Sequence, residues 1–171
     1  MNIRENIIHI ASTLPAGVRL VAVSKTKPAA CIEEAYAGGQ RVFGENRPQE
    51  MAAKYQVLPK DIEWHLIGQL QEKNVKYIAS FVSLIHSVDS LKLLEKIDKE
   101  AAKHDRRIDC LLEFHIAEEA TKSGLTLEGG GSVAPERYLP CLEACAPGGS
   151  DGHCHLYGRP GTNPSGIPPF A

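Results

Sequence analysis

Lys25 closes an apolar run in Val21-Ala22-Val23-Ser24-Lys25-Thr26-Lys27-Pro28. The aliphatic residues from Val18 to Val23 read as a strand, and Pro28 opens a helix-like stretch. Strand, short loop and helix in that order begin a βα unit. Ligands of α/β proteins sit at the carboxyl ends of the strands. A partly desolvated amine held there favours its neutral form, the form that attacks a carbonyl to make a Schiff base. The plain alternative is a solvated lysine at a strand end. Lys27 competes for the role, but it lies in the loop, where solvent reaches it more easily.

Further candidates fall at later strand ends. In Phe43-Gly44-Glu45-Asn46-Arg47-Pro48, Gly44 permits close backbone approach to a ligand. Asn46 offers a donor and an acceptor, or else caps the following helix. In Trp64-His65-Leu66-Ile67-Gly68-Gln69, His65 is either a ligand contact or a satisfied core histidine. Gly68 and Gln69 lie where a ligand could touch. Lys122-Ser123-Gly124 supplies another cation at the same end of the sheet, or a surface turn. Cys141, Cys145, His153, Cys154 and His155 invite a zinc reading, but their spacing matches no common finger or ribbon. Cys31 and Cys110 read as ordinary buried thiols. No G-x-S-x-G elbow is present.

These residues need a scaffold, and the alternation of patterns supplies one. Helices are expected at residues 2–13, 29–37, 48–57, 72–81 and 90–104. Strands are expected at 18–25, 41–46, 62–68, 84–88 and 109–117. Gly38-Gly39 ends the second helix, and Pro48 opens the third. Five strands alternating with helices through short connections imply a parallel sheet. Alternation along the first strand puts Val21, Val23 and Lys25 on one face. In a barrel, that face would place the amine at the top of the interior. No G-x-G-x-x-G turn follows the first strand, which weakens a dinucleotide-fold reading.

The 171 residues suffice for one domain with a real core. A net charge of -2 without a basic stripe argues against nucleic acid or an anionic membrane as partner. The N-terminus carries charges within its apolar stretch and does not read as a signal peptide. No apolar run approaches a membrane span. Five cysteines without framework spacing suggest a cytoplasmic chain with reduced thiols. Composition changes near residue 129. The last 43 residues hold nine of the 15 glycines, seven of the 11 prolines and no lysine. Such a segment buries too little apolar surface to offset its ordering entropy. It is expected to be irregular, with at most a short helix around residues 136–146.

The four motifs around Lys25, Asn46, His65-Gly68 and Thr121-Lys122-Ser123-Gly124 together closely resemble the pyridoxal phosphate homeostasis protein family, which is related to the N-terminal barrel of alanine racemase. They occur in family order and at family spacing. The resemblance runs from about residue 1 to residue 128, and only Arg47-Pro48 departs from the pattern after Asn46. It implies an α/β fold of the (β/α)₈ TIM-barrel type, here incomplete, with about five βα units and an irregular tail. It further implies pyridoxal 5'-phosphate as cofactor and Lys25 as the Schiff-base lysine. Asn46 would lie near the cofactor ring, with His65 and Gly68 in the same site. Lys122 matches a second lysine that influences cofactor transfer. The family's later segments, which form the phosphate cup and a partner for the ring nitrogen, find no match after about residue 129. That predicts weak attachment, open sheet edges and a poorly soluble or molten chain. It also suggests a truncated or frameshifted product.

The resemblance implies a non-catalytic carrier or buffer of the cofactor, with pyridoxal-phosphate-dependent apoenzymes as potential recipients. One competing reading is a racemase-like enzyme. Two-base racemisation needs a second base on the opposite cofactor face, which alanine racemase takes from a separate domain. The other competing reading is an inert fragment or an unrelated interaction module.

Overall fold

The computed structural model describes residues 2–115, 125–126 and 154–156. In chain order the elements are α1 (Ile3–Thr13), β1 (Ala22–Val23), α2 (Ala29–Ala37), β2 (Val42–Glu45), α3 (Pro48–Val57) and β3 (Glu63–Leu66). A 3-10 helix (Glu72–Tyr77) follows, then β4 (Leu84–Val88), α4 (Leu91–Ala102), β5 (Ile108–Leu112), β6 (Phe114–His115), β7 (Leu125–Thr126) and β8 (Cys154–Leu156). Local chemistry sets several boundaries. Asn2 and Glu5 form a reciprocal capping box at the start of α1. Pro48 occupies the first turn of α3, where its missing N–H costs no hydrogen bond. The Ser90 hydroxyl accepts from Leu93 N at the start of α4. Gly39 takes the positive φ of +97° that turns the chain out of α2.

β1, β2, β3, β4, β5 and β8 lie side by side in that order, every neighbouring pair parallel. Register assigns the two faces, because paired residues in parallel strands point the same way. Ala22, Phe43 and Trp64 share one rung. Phe43 and Trp64 are buried there with Leu66, Ile85 and Cys110, and Ile32, Met51, Leu94 and Ile97 from the helices complete the same core. Val23, Gly44, His65, Leu84 and Asp109 share a rung on the opposite face. Lys25 follows β1 in the turn that leaves this edge of the sheet. A parallel sheet with helices packed on one face is the wall of a (β/α)₈-type barrel. Among the described residues no helix is long and apolar enough to cross a membrane.

Two expectations are corrected. The helix expected at residues 72–81 is a 3-10 helix confined to Glu72–Tyr77. Val75 within it is buried, as are Ile78 and Phe81 in the turns that follow. The first strand is only two residues long rather than spanning 18–25, because it is an edge strand paired with β2 alone. Within the tail, Cys154–Leu156 pairs with Ile108–Cys110. The edge of β5 offers unpaired backbone groups, and this short run free of Gly and Pro takes them up. The helix considered near residues 136–146 lies outside the described residues.

Candidate functional site

Lys25 follows β1 in a tight turn, closed by a bond from Lys27 N to Ser24 O at 3.0 Å. Thr26 within it has φ +62°, an unusual left-handed conformation for a β-branched residue. Lys25 is exposed rather than partly desolvated as expected, and so is Lys27. The cause is the edge position of β1: Val23, one rung below on the same face, is 54% exposed. Lys25 forms no ion pair among the described residues.

Lys25 leaves the carboxyl end of β1, and Asn46 directly follows the neighbouring, parallel β2. Asn46 is half-buried, and its side-chain amide makes no hydrogen bond among the described residues. It does not cap α3. The N-cap position falls to Arg47, which makes no side-chain cap bond. Gly68 is adjacent: a Cβ there would lie 2.5 Å from Asn46 O and 2.7 Å from Asn46 Cα. The glycine is therefore required by the approach of two strand ends, and its carbonyl accepts from Ser87 Oγ at 2.6 Å. Gly44 serves the same face. A Cβ there would meet Ile67 Cδ1 and Val21 Cγ1, each at 3.1 Å.

His65 lies one rung below Asn46 and is buried. Its Nδ1 is 3.1 Å from His86 Nε2, so one ring donates and the other accepts. Burial, followed by the neighbouring His86 and Arg19, holds the His65 pKa down to about 4, against a small opposing effect of Glu63. Burial also lowers that of His86. His65 is thus a buried histidine with a histidine partner. Its partner was not recognised in sequence, although both residues lie on adjacent strands. Leu84 pairs with His65, so alternation places His86 on the same face, and a β4–β5 register shift between Ile85 and Val88 spans His86 and Ser87. Lys122 lies outside the described residues, as do Cys141, Cys145 and His153. Among the described residues no group of three or more His, Cys, Asp or Glu could hold a metal ion.

Sequence reasoning also missed the cluster behind the Lys25 turn. Lys54 Nζ donates to Glu45 Oε1 at 2.6 Å, Glu50 Oε1 at 2.7 Å and Ser24 O at 2.8 Å. Ser24 Oγ donates to Glu45 Oε1 at 2.6 Å, and Thr26 N to Glu50 Oε1 at 2.7 Å. Lys54 pulls the Glu50 pKa down. The only advance signal was the i,i+4 spacing of Glu50 and Lys54.

The chain is similar to known proteins in sequence and fold. The family described as alanine racemase, N-terminal domain, matches residues 1–135, slightly past the boundary read from composition. The chain is 44% identical over 111 residues to the pyridoxal phosphate homeostasis protein of Aquifex aeolicus, covering 64% of this chain and 49% of that one. It is 42% identical over 122 residues to the protein of the same name from Synechocystis, covering 70% and 56%. The chain thus spans about half the length of these curated relatives. PipY of Synechococcus elongatus, solved with PLP bound, superposes with a TM-score of 0.72 at 36% identity, covering 92% of this chain and 68% of that one. Alanine racemase from E. faecalis shares the fold at a TM-score of 0.64 and 15% identity, covering 91% and 40%. On the match across residues 1–135, the chain belongs to the alanine racemase N-terminal domain family.

Proposed function

We propose that this chain binds pyridoxal 5'-phosphate through Lys25 and acts in cytoplasmic homeostasis of that cofactor, as a carrier or buffer without turnover. The observation that carries the reading is an exposed, ion-pair-free Lys25 just past the carboxyl end of β1, with the uncommitted amide of Asn46 just past that of the adjacent β2. Homology to PipY, solved with PLP bound, supports the same choice of ligand.

The described residues fit the aldehyde end of the cofactor. Lys25 would hold the cofactor covalently through its amine, with water as the by-product. Asn46 would offer its amide to a polar edge of the ring, and Gly68 would leave room beside it. His65 sits one rung deeper on the same face, neutral and paired. Lys122 is proposed as the second lysine that influences transfer, with pyridoxal-phosphate-dependent apoenzymes as recipients. When bound, the cofactor supplies an electrophilic aldehyde and an electron-accepting ring. The compositional division at residues 128/129 is kept in this reading, with residues 1–128 carrying the aldehyde end of the site.

Titrating the wild-type chain and Lys25→Ala with pyridoxal 5'-phosphate tests the binding. The reading expects an absorbance band that depends on Lys25; an unchanged band in the variant would overturn it. Incubation with cofactor and L-alanine tests the absence of turnover, and steady D-alanine formation would mean an enzyme.

A further inference from the structure

We propose that Lys54 is a positioning residue that, together with Glu50, fixes the backbone of Lys25. The inference rests on the reading of Lys25 as the attachment point. Lys25 is joined to its neighbours by two peptide groups. The carbonyl of the first belongs to Ser24 and accepts from Lys54 Nζ at 2.8 Å. The N–H of the second belongs to Thr26 and donates to Glu50 Oε1 at 2.7 Å. Lys54 and Glu50 also bond each other at 2.7 Å. One ion pair on α3 therefore grips the chain on both sides of Lys25, while the Lys25 side chain stays exposed.

Net stability does not account for this cluster. Glu45 is fully buried, Lys54 nearly so, and Glu45 Oε2 has no hydrogen-bond partner. Charges taken out of water cost several kcal/mol each, and apolar replacements of similar volume are often neutral or stabilising. Apolar side chains could not bond the two peptide groups. Nor would they hold Thr26 at φ +62°, a conformation that persists only when its surroundings over-determine it. The cluster thus trades stability for a fixed exit direction of the lysine from the strand end. Small displacements of a reacting group from its working geometry are costly in rate.

The test is an internal competition in the full-length chain. Wild type, Lys54→Met, Glu50→Ala and Glu50→Gln are incubated briefly with pyridoxal 5'-phosphate, trapped with borohydride, and mapped for label at Lys25 against Lys27. The ratio is compared only for variants shown to be folded by their near-UV signal and thermal transition, because unfolded chains would also lose the preference for Lys25. Lys54→Met and Glu50→Ala are expected to lower the ratio about tenfold. Glu50→Gln, which keeps an acceptor for Thr26 N, is expected to restore most of it. If Lys54→Met does not fold, Glu50→Ala carries the test, since Glu50 is partly exposed and its loss is milder. An unchanged ratio in a folded variant would overturn the inference. Absence of label at Lys25 in the wild type would instead overturn the proposed function.

Discussion

His65 Nδ1 and His86 Nε2 meet at 3.1 Å on the face of the sheet that carries Lys25. Two rings in such contact cannot both be protonated without repulsion, and burial already disfavours the charge. The His65 pKa falls from 6.5 to about 4 on folding. Between those values the unfolded chain binds the proton and the folded chain does not, so stability is fully present above the unfolded value and is lost as pH falls toward 4. Thermal midpoints are expected to be level from pH 8 to 7 and to drop by several degrees between pH 6.5 and 5. That window lies above the range in which Glu50 and Glu100, whose pKa values are lowered by lysine partners, lose their contribution. A His65→Gln variant should flatten the drop; an equal drop in that variant would assign it elsewhere.

Gly68→Ala is expected to destabilise the fold by about 1–3 kcal/mol, because the added methyl runs into backbone atoms of Asn46 that cannot rotate away. Urea unfolding measures it. A variant as stable as wild type would mean that the two strand ends are not in contact.

Asn46→Ala separates site from scaffold. The amide bonds nothing among the described residues and caps no helix, so stability should stay within about 0.5 kcal/mol. Loss of one hydrogen bond to the cofactor should weaken binding about fivefold, measured by spectral titration. Equal binding by both proteins would remove Asn46 from the site.

Trp64 is the single tryptophan and is fully buried against Phe43. Its emission should be blue-shifted and shielded from acrylamide. A red-shifted, readily quenched emission would instead support the molten chain expected from the open sheet edge.

Elements with strong local signals were legible in the sequence. Pro48 marks the start of α3, and the β4 bounds agree with the expected 84–88. The amphipathic run of α4 announces its buried Leu94, Ile97 and Ala101. Features set by contacts distant in sequence were not legible. The contact of His86 with His65 depends on the register in which β4 meets β3. The 3-10 path at Glu72–Tyr77 depends on what its apolar side packs against. Lys25 and Asn46 could each be picked out from a strand end, but that Lys54 grips the turn between them becomes visible only when α3 packs over β1 and β2.

Borohydride reduction of the cofactor-treated chain, followed by peptide mapping, tests the central claim most directly. The expected result is one dominant modified peptide, carrying the reduced pyridoxyl group on Lys25. A label spread evenly over the lysines, or absent, would contradict it.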